Sequence, residues 1–486
     1  MRAGHWEVFV FLAVILASAD TANDCIYQKC FCEGNIVYCN SLGLTSIPPL
    51  SPPGDVPISD LQFDDNNITA ILPGSLPAGL TRLTITNNPI QTIDDMAFTD
   101  VATTLQMLGL TLAPSSRIPD ALMHLESLNF LDIINTDIVD WNENVMKYLA
   151  PKLNTLTLSS VSFHTWPDWI QYCKQVSELA LVYSYLQSIP DNGLDSMATT
   201  VISMSLTGNN LTAVPKAISN FTNMTVFAVD KNKIRDVTWL PKQCRMDTLD
   251  VSNNKIFNAT QLSEALRPYA EFLVELDIDH NELTEIPDLQ FLTMDNFDFS
   301  FNNIYDLTAG SLPSKVSWLN LNNNLLSSLP RMVLSLQLLS TLLMESNLVT
   351  SLQASTIPST LQYLSLQNNL VTELTDASFP ENSSLLSLYL DNNPLTKISD
   401  LAFANLAKLR ELHLSSTRLT RLPLGLPSLH SITLLDVSDI TGLVCTCLEK
   451  DLGPWIKSLA SEIVFGNCGV IKVYDFFALL SPGCPR

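Results

Sequence analysis

Glycine and basic residues are what this chain has least of. It holds 16 glycines in 486 residues, and 26 Lys and Arg stand against 49 Asp and Glu, for a formal charge of −23. Few glycines leave little room for loops that cradle phosphates. Few bases exclude nucleic acid, whose binding needs clustered Lys and Arg to displace counterions, and equally exclude an anionic membrane surface. Charged residues make up only 15% and apolar ones 46%, so the acid excess is not that of a disordered tail. Histidine is sparse too. Beyond residue 19 there are His124, His164, His280, His413 and His430, with no H-E-x-x-H or H-x-H, and neither G-x-S-x-G nor G-x-x-x-x-G-K occurs. Acid pairs at this density imitate a glycosidase dyad by proximity alone. The chain therefore reads as a non-enzyme, with no cofactor and no metal set. No EF-hand loop or tandem Asp-rich repeat supports calcium.

Long apolar runs are also missing, with one exception. Arg2 precedes the run from Val8 to Ala17, and Ala17-Ser18-Ala19 is a small-x-small cleavage site, so residues 1–19 are expected to be a secretory signal peptide. The run is shorter than the roughly 20 residues that cross a bilayer. Cleavage would remove Arg2 and Glu7 and leave the charge at −23. The product is expected to be extracellular, with no direct membrane insertion.

Leucine is what the chain has in excess: 80 residues. Residues 273–283 (LVELDIDHNEL) fit L-x-x-L-x-L-x-x-N-x-L, and so do 361–371 (LQYLSLQNNLV). Taking the second apolar residue as anchor, the pattern recurs at Leu61, Leu83, Leu108, Leu131, Leu156, Leu179, Met204, Phe227, Leu249, Leu276, Phe297, Leu319, Leu342, Leu364, Leu388, Leu412 and Leu435, 17 repeats spaced 21 to 27 residues apart. Length alone would suggest about three ordinary domains; the period predicts one solenoid instead. Its L-x-L core is a short strand with both apolar side chains on one face, and stacking alone buries that face. The position five residues after the anchor holds Asn in 11 repeats, nine of them consecutive from Asn209 to Asn393. A buried amide there bonds backbone groups of neighbouring turns. Ala113, Thr136, Val161 and Ser184 interrupt this ladder, which reads as tolerated drift or as a local change of curvature. Pro190, Pro215, Pro287, Pro330 and Pro423 suit the extended return path.

These residues resemble the leucine-rich repeat family, specifically its extracellular members, over nearly the whole mature chain. The resemblance implies an α/β solenoid: a leucine-rich repeat horseshoe of about 17 repeats, with a parallel concave sheet, an irregular or short-helical convex side, and disulfide caps at both ends. The caps are carried by Cys25, Cys30, Cys32 and Cys39 with Val37-Tyr38-Cys39, Leu44 and Ile47-Pro48, and by Cys445, Cys447, Cys468 and Cys484 with Leu448 and Trp455. Four cysteines allow three connectivities. The family's pairing, carried over, is Cys25–Cys32, Cys30–Cys39, Cys445–Cys468 and Cys447–Cys484. Expected boundaries are 1–19 signal peptide, 20–57 N-terminal cap, 58–443 solenoid and 444–486 C-terminal cap. Cys173 and Cys244, about 15 Å apart at sheet spacing, read as buried thiols. Six N-x-S/T sequons, at Asn67, Asn210, Asn220, Asn223, Asn258 and Asn382, are candidate glycan sites.

The acids concentrate where the strands point away from the core. Four positions per repeat face that way, one before and one, three and four after the anchor. They hold 16 acids but only two bases, Arg82 and Lys231. The densest group is Asp250, Glu275, Asp277, Asp279 and Asp298, with His280 beside it. Phe301, Trp318, Leu343, Tyr363 and Tyr389 follow it, while Met107, Leu112, Phe130, Ile134, Val182 and Tyr183 fall near the ladder's gap. Aromatics beside charge are typical binding anchors. The expected partner is therefore a basic extracellular protein or peptide, with a glycan second; a solvated acidic surface that keeps the solenoid soluble is the plain alternative. Three readings of the whole stay open: a secreted recognition protein, the ectodomain of a cell-surface receptor, and an adhesion, matrix or enzyme-inhibitor protein. The sequence does not specify an oligomeric state.

Overall fold

The structure is a computed structural model that describes residues 25–27, 29–50 and 57–480. The expected signal peptide and Cys484 lie outside these. The chain divides into two compact units, residues 1–113 with 119–128, and 114–118 with 129–486.

In the first unit, Phe31–Glu33 and Ile36–Tyr38 form an antiparallel hairpin, and its second strand pairs in parallel with Asp60–Gln62. Disulfides Cys25–Cys32 and Cys30–Cys39 staple the hairpin. Buried Tyr27 packs edge-on against Phe63 and donates its hydroxyl to the Ser75 carbonyl at 2.6 Å. The hairpin thus covers an edge that would otherwise offer unpaired backbone groups. Parallel strands Arg82–Ile90 and Met107–Leu112 follow, and Leu61, Leu83 and Leu108 are fully buried. One expectation fails here. Leu112 is 4% exposed and belongs to the core, not the open face. The register between these two strands shifts after Ile85 and pairs Ile90 with Leu112, so the bulge turns Leu112 inward.

In the second unit every remaining anchor sits inside a short strand. One parallel run extends from Phe130–Ile134 through Thr155–Ser159, Glu178–Val182, Ser203–Ser205, Val226–Ala228 and Thr248–Asp250 to Glu275–Asp277. A second runs from Asn296–Asp298 through Trp318–Asn320, Thr341–Leu343, Tyr363–Ser365, Ser387–Tyr389, Glu411–His413 and Leu434–Asp436 to Val464–Phe465.

The longest strands of this unit coincide with the ladder's gap, although the last two turns, with Thr417 and Ile440 at the ladder position, keep three-residue strands. In this unit the turns with Asn have three-residue strands, and those with Thr136, Val161 and Ser184 have five. The Asn amide takes over the backbone groups where the strand bends away. Asn324 donates to the carbonyls of Phe299, Leu321 and Asn322 at 2.9 to 3.1 Å and accepts from the Ile304 N–H at 2.9 Å. At Thr136, Val161 and Ser184 strand pairing satisfies the backbone two residues further on. Ser184 does part of the job, accepting from the Val161 N–H at 3.1 Å.

The return path is built of turns and short 3-10 helices. Pro167, Pro215 and Pro330 precede three of them in extended conformation. Two repeats with wide spacing hold α-helices, Glu143–Leu149 and Ala259–Leu266, the second capped by Asn258. At the far end the Thr446–Glu449 capping box opens a turn that carries buried Glu449, paired with Arg421 at 3.3 Å, and Cys445 is bonded to Cys468. Cys447 is also disulfide-bonded. Cys173 and Cys244 are free and buried, the second donating to the Phe221 carbonyl.

Candidate binding face

The open strand face of the second unit holds all ten candidate ligand residues. Asp250, Glu275, Asp277, Asp279, Asp298, Trp318, Tyr363 and Tyr389 are half-buried; His280 and Phe301 are exposed. Met107 in the first unit, and Phe130, Ile134 and Val182 in the second, are half-buried; Tyr183 is exposed.

Local chemistry explains part of the acid pattern. Asp250 accepts from the Ser252 N–H, Asp298 from Ser300 and Asp436 from Ser438, at 2.8 to 2.9 Å. An aspartate just after the anchor therefore closes the strand end as an Asx-turn, a folding role independent of any ligand. Among the described residues, Asp277 receives no such bond. It lies on the last strand of one parallel run, and Asp298 on the first strand of the next. Glu275–Asp277 and Asn296–Asp298 are not paired with each other. Backbone contact resumes just beyond, where the N–H groups of His280 and Asn281 donate to Ser300 and Phe301. The sheet is thus interrupted where like charge is densest.

Burial, reinforced by Asp250, Glu275, Asp279 and Asp298, pushes the Asp277 carboxyl up to about 7. Burial and Asp230 push Asp250 up to about 6, against the opposing bonds from Ser252. The folded state therefore holds protons that the unfolded chain has released. Stability contributed by these groups is full below about pH 4, falls as pH rises through about 6 to 7, and is flat above. Asp277→Asn removes the penalty of the charged form. It should stabilise the protein by about 1–2 kcal/mol at pH 8, allowing for solvent screening, and leave pH 4.5 nearly unchanged. Chemical denaturation at the two pH values measures this; equal effects at both would refute the burial argument.

A second pattern runs beside the first. The residue four after the anchor is left-handed in nearly every turn, with φ between 51° and 57° at Asp65, Asn87, Asn135, Ser160, Asn253, Asn323, Ser346, Asn368, Asn392, Ser416 and Asp439, and Gly208 at 71°. Short polar residues and glycine tolerate this conformation. Four turns place other types there: Tyr183, Lys231, His280 and Phe301. Tyr183 and Phe301 are each 46% exposed. The His280 ring stacks on Phe301 at 4.0 Å and hydrogen-bonds Asp279. Tyr183 lies over Gly208, where a Cβ would come within 2.3 Å of its ring. Bulky residues held in an unfavourable backbone state on an open face are candidates for contact.

Tyr363 and Tyr389 are brought together at 5.0 Å, and Tyr389 stacks on His413 at 4.2 Å. The Tyr389 hydroxyl donates to Glu411 at 3.0 Å. Trp318 and Tyr363 point from the same register, both in line with Thr341. The group Asp391, His413 and Asp436 was not among the candidates. Aligning the repeats would have placed His413 and Asp436 at one register position with Tyr389, and Asp391 two residues beyond it on the same face. Of the sequons, Asn67, Asn220, Asn223, Asn258 and Asn382 are exposed and Asn210 is half-buried. No helix among the described residues is long and apolar enough to cross a membrane.

A family model described as leucine rich repeat matches residues 359–419. Bovine osteomodulin is 25% identical over 289 residues, 53% of this chain and 66% of its own length. Among solved structures, a chain of the Drosophila Toll–Spatzle complex superposes with a TM-score of 0.54 at 20% identity, covering 78% of this chain and 51% of that one. A Leptospira interrogans leucine-rich repeat protein gives 0.47 at 21% identity, covering 77% and 90%. The chain spans about half the length of the Toll–Spatzle match.

Proposed function

We propose that this leucine-rich repeat solenoid, disulfide-stapled at both ends, is a secreted recognition protein whose open acidic strand face binds a basic protein or peptide. The observation that carries the reading is the acid group around Asp277, half-buried among like charges where the two strand runs are unpaired, and flanked by exposed, left-handed His280 and Phe301. A purely solubilising surface gains nothing from crowding carboxylates at a sheet interruption or from holding a phenylalanine in a conformation that asparagine adopts more cheaply. Similarity to osteomodulin and to a chain solved in a complex with a protein partner supports binding over catalysis. On this reading residues 1–19 are the signal peptide, 20–57 and 444–486 the caps, 58–443 the solenoid, and the six sequons carry glycans.

Phe301→Asn tests the proposal. Asparagine suits the backbone there, so stability should hold or rise by up to about 1 kcal/mol. Losing an exposed aromatic anchor should weaken capture of the basic partner about tenfold or more. Pull-down from extracellular fluid onto the immobilised secreted chain, with elution by salt, supplies the partner. Unchanged capture by the variant would sink Phe301 as an anchor. A retained partner with no excess of basic residues would sink the proposal.

A further inference from the structure

A second group on the same face has different chemistry. Asp391, His413 and Asp436 come from three successive turns, and their ligand atoms all lie within 4.8 Å of one another. It is not a cluster of acids alone, because an imidazole nitrogen stands between two carboxylates. The surroundings hold each donor in place. Asp391 is buried, accepting from the Ser415 N–H at 3.0 Å on one oxygen and from the Gln367 amide at 3.2 Å on the other. Asp436 accepts from the Ser438 N–H on one oxygen, and its other oxygen faces His413 Nδ1 at 3.8 Å. The His413 ring is fixed by its stack on Tyr389, whose hydroxyl is tied to Glu411. Oriented outer partners of this kind are what metal ligands need.

We propose that Asp391, His413 and Asp436 form a site for a divalent first-row transition ion, zinc in particular, with its remaining coordination position open to the strand face. Zinc accepts mixed nitrogen and oxygen donors at about 2.0–2.2 Å, which places ligand atoms about 3.4 Å apart in a tetrahedral set. The His413–Asp436 spacing of 3.8 Å is already close to that, and an Asp391 oxygen lies within 4.8 Å of both. Calcium and magnesium prefer all-oxygen sets, so the imidazole selects against them. Around Asp277 the pair His280–Asp279 has no third donor in such reach: among the described residues, the group of ligand atoms this close is Asp391, His413 and Asp436. The site does not depend on the basic partner.

Calorimetric titration of the full secreted chain with zinc chloride should show saturable binding of one ion tighter than about 100 µM. His413→Ala and Asp436→Asn should each weaken it at least about tenfold, while His280→Ala should not. Millimolar calcium should fail to compete. In the native chain, zinc should protect His413 from carbethoxylation by diethylpyrocarbonate, read by peptide mass spectrometry, and this requires no variant to fold. The absence of saturable zinc binding, equal affinity in a folded His413→Ala variant, displacement by calcium, or undiminished His413 modification would each overturn the proposal.

Discussion

Asn369→Ala should destabilise the protein by about 3–4 kcal/mol, enough to suppress secretion if the native stability is ordinary. Asn369 is 2% exposed. Its amide donates to the carbonyls of Met344, Leu366 and Gln367 at 2.8, 3.1 and 3.1 Å, and its oxygen accepts from the Val349 N–H at 2.9 Å. Alanine strips a partner from each of the buried Met344 and Leu366 carbonyls and from the buried Val349 N–H, while the part-buried Gln367 carbonyl keeps its bond from the Ser346 N–H. Each buried orphan costs about 1–3 kcal/mol, and the cavity adds to this. Asn368 is the control. It is exposed and left-handed, and its one side-chain bond is to Glu345 at 3.1 Å. Asn368→Ala should cost about 1 kcal/mol or less. In a solenoid the damage is local, so hydrogen exchange should rise most in residues 344–371. Equal costs for the two substitutions would contradict the ladder account.

The triple variant Glu275→Gln, Asp277→Asn, Asp279→Asn should slow association with the basic partner by about tenfold or more at low salt. These positions lie on one turn, face the same way and are bordered by Asp250 and Asp298. Their charge is weaker at neutral pH than formal counting suggests, because Asp277 keeps its proton up to about 7. A cationic partner favours the ionised face and draws that proton off. Affinity of the native chain should therefore increase as pH rises from about 6 to about 8, with proton release visible as a buffer-dependent binding enthalpy. The triple variant should lose most of that pH dependence. A variant with native association rate and native pH dependence would place the binding elsewhere.

Much of the fold was legible in the chain, for a physical reason. One apolar pattern repeated 17 times leaves a single way to bury itself, and each anchor from Leu61 to Leu435 lies within a strand. The ladder's gap was visible at Ala113, Thr136, Val161 and Ser184, but not its consequence. At Thr136, Val161 and Ser184 neighbouring strands take over the backbone that an amide serves elsewhere, whereas Thr417 and Ile440 lack the amide without lengthening their strands, and this is a three-dimensional competition. Leu112 misled because a register shift leaves no trace in the spacing. At the candidate face, residue types and direction could be read from the repeat, while protonation could not. The raised carboxyls of Asp250 and Asp277 arise from burial and from like charges on adjacent turns. The left-handed column containing Tyr183, Lys231, His280 and Phe301 was readable in principle, since the other turns place Asn, Ser, Asp or Gly there. It emerges only when the repeats are aligned by position after the anchor. His413 was overlooked for the same reason.

The most direct test of the central claim is the association rate of the native secreted chain with its captured partner as ionic strength is varied. An acidic face that steers a basic partner predicts a fall of about tenfold or more between about 20 mM and about 150 mM salt, with the dissociation rate changing much less. An association rate that stays constant across that range would contradict it.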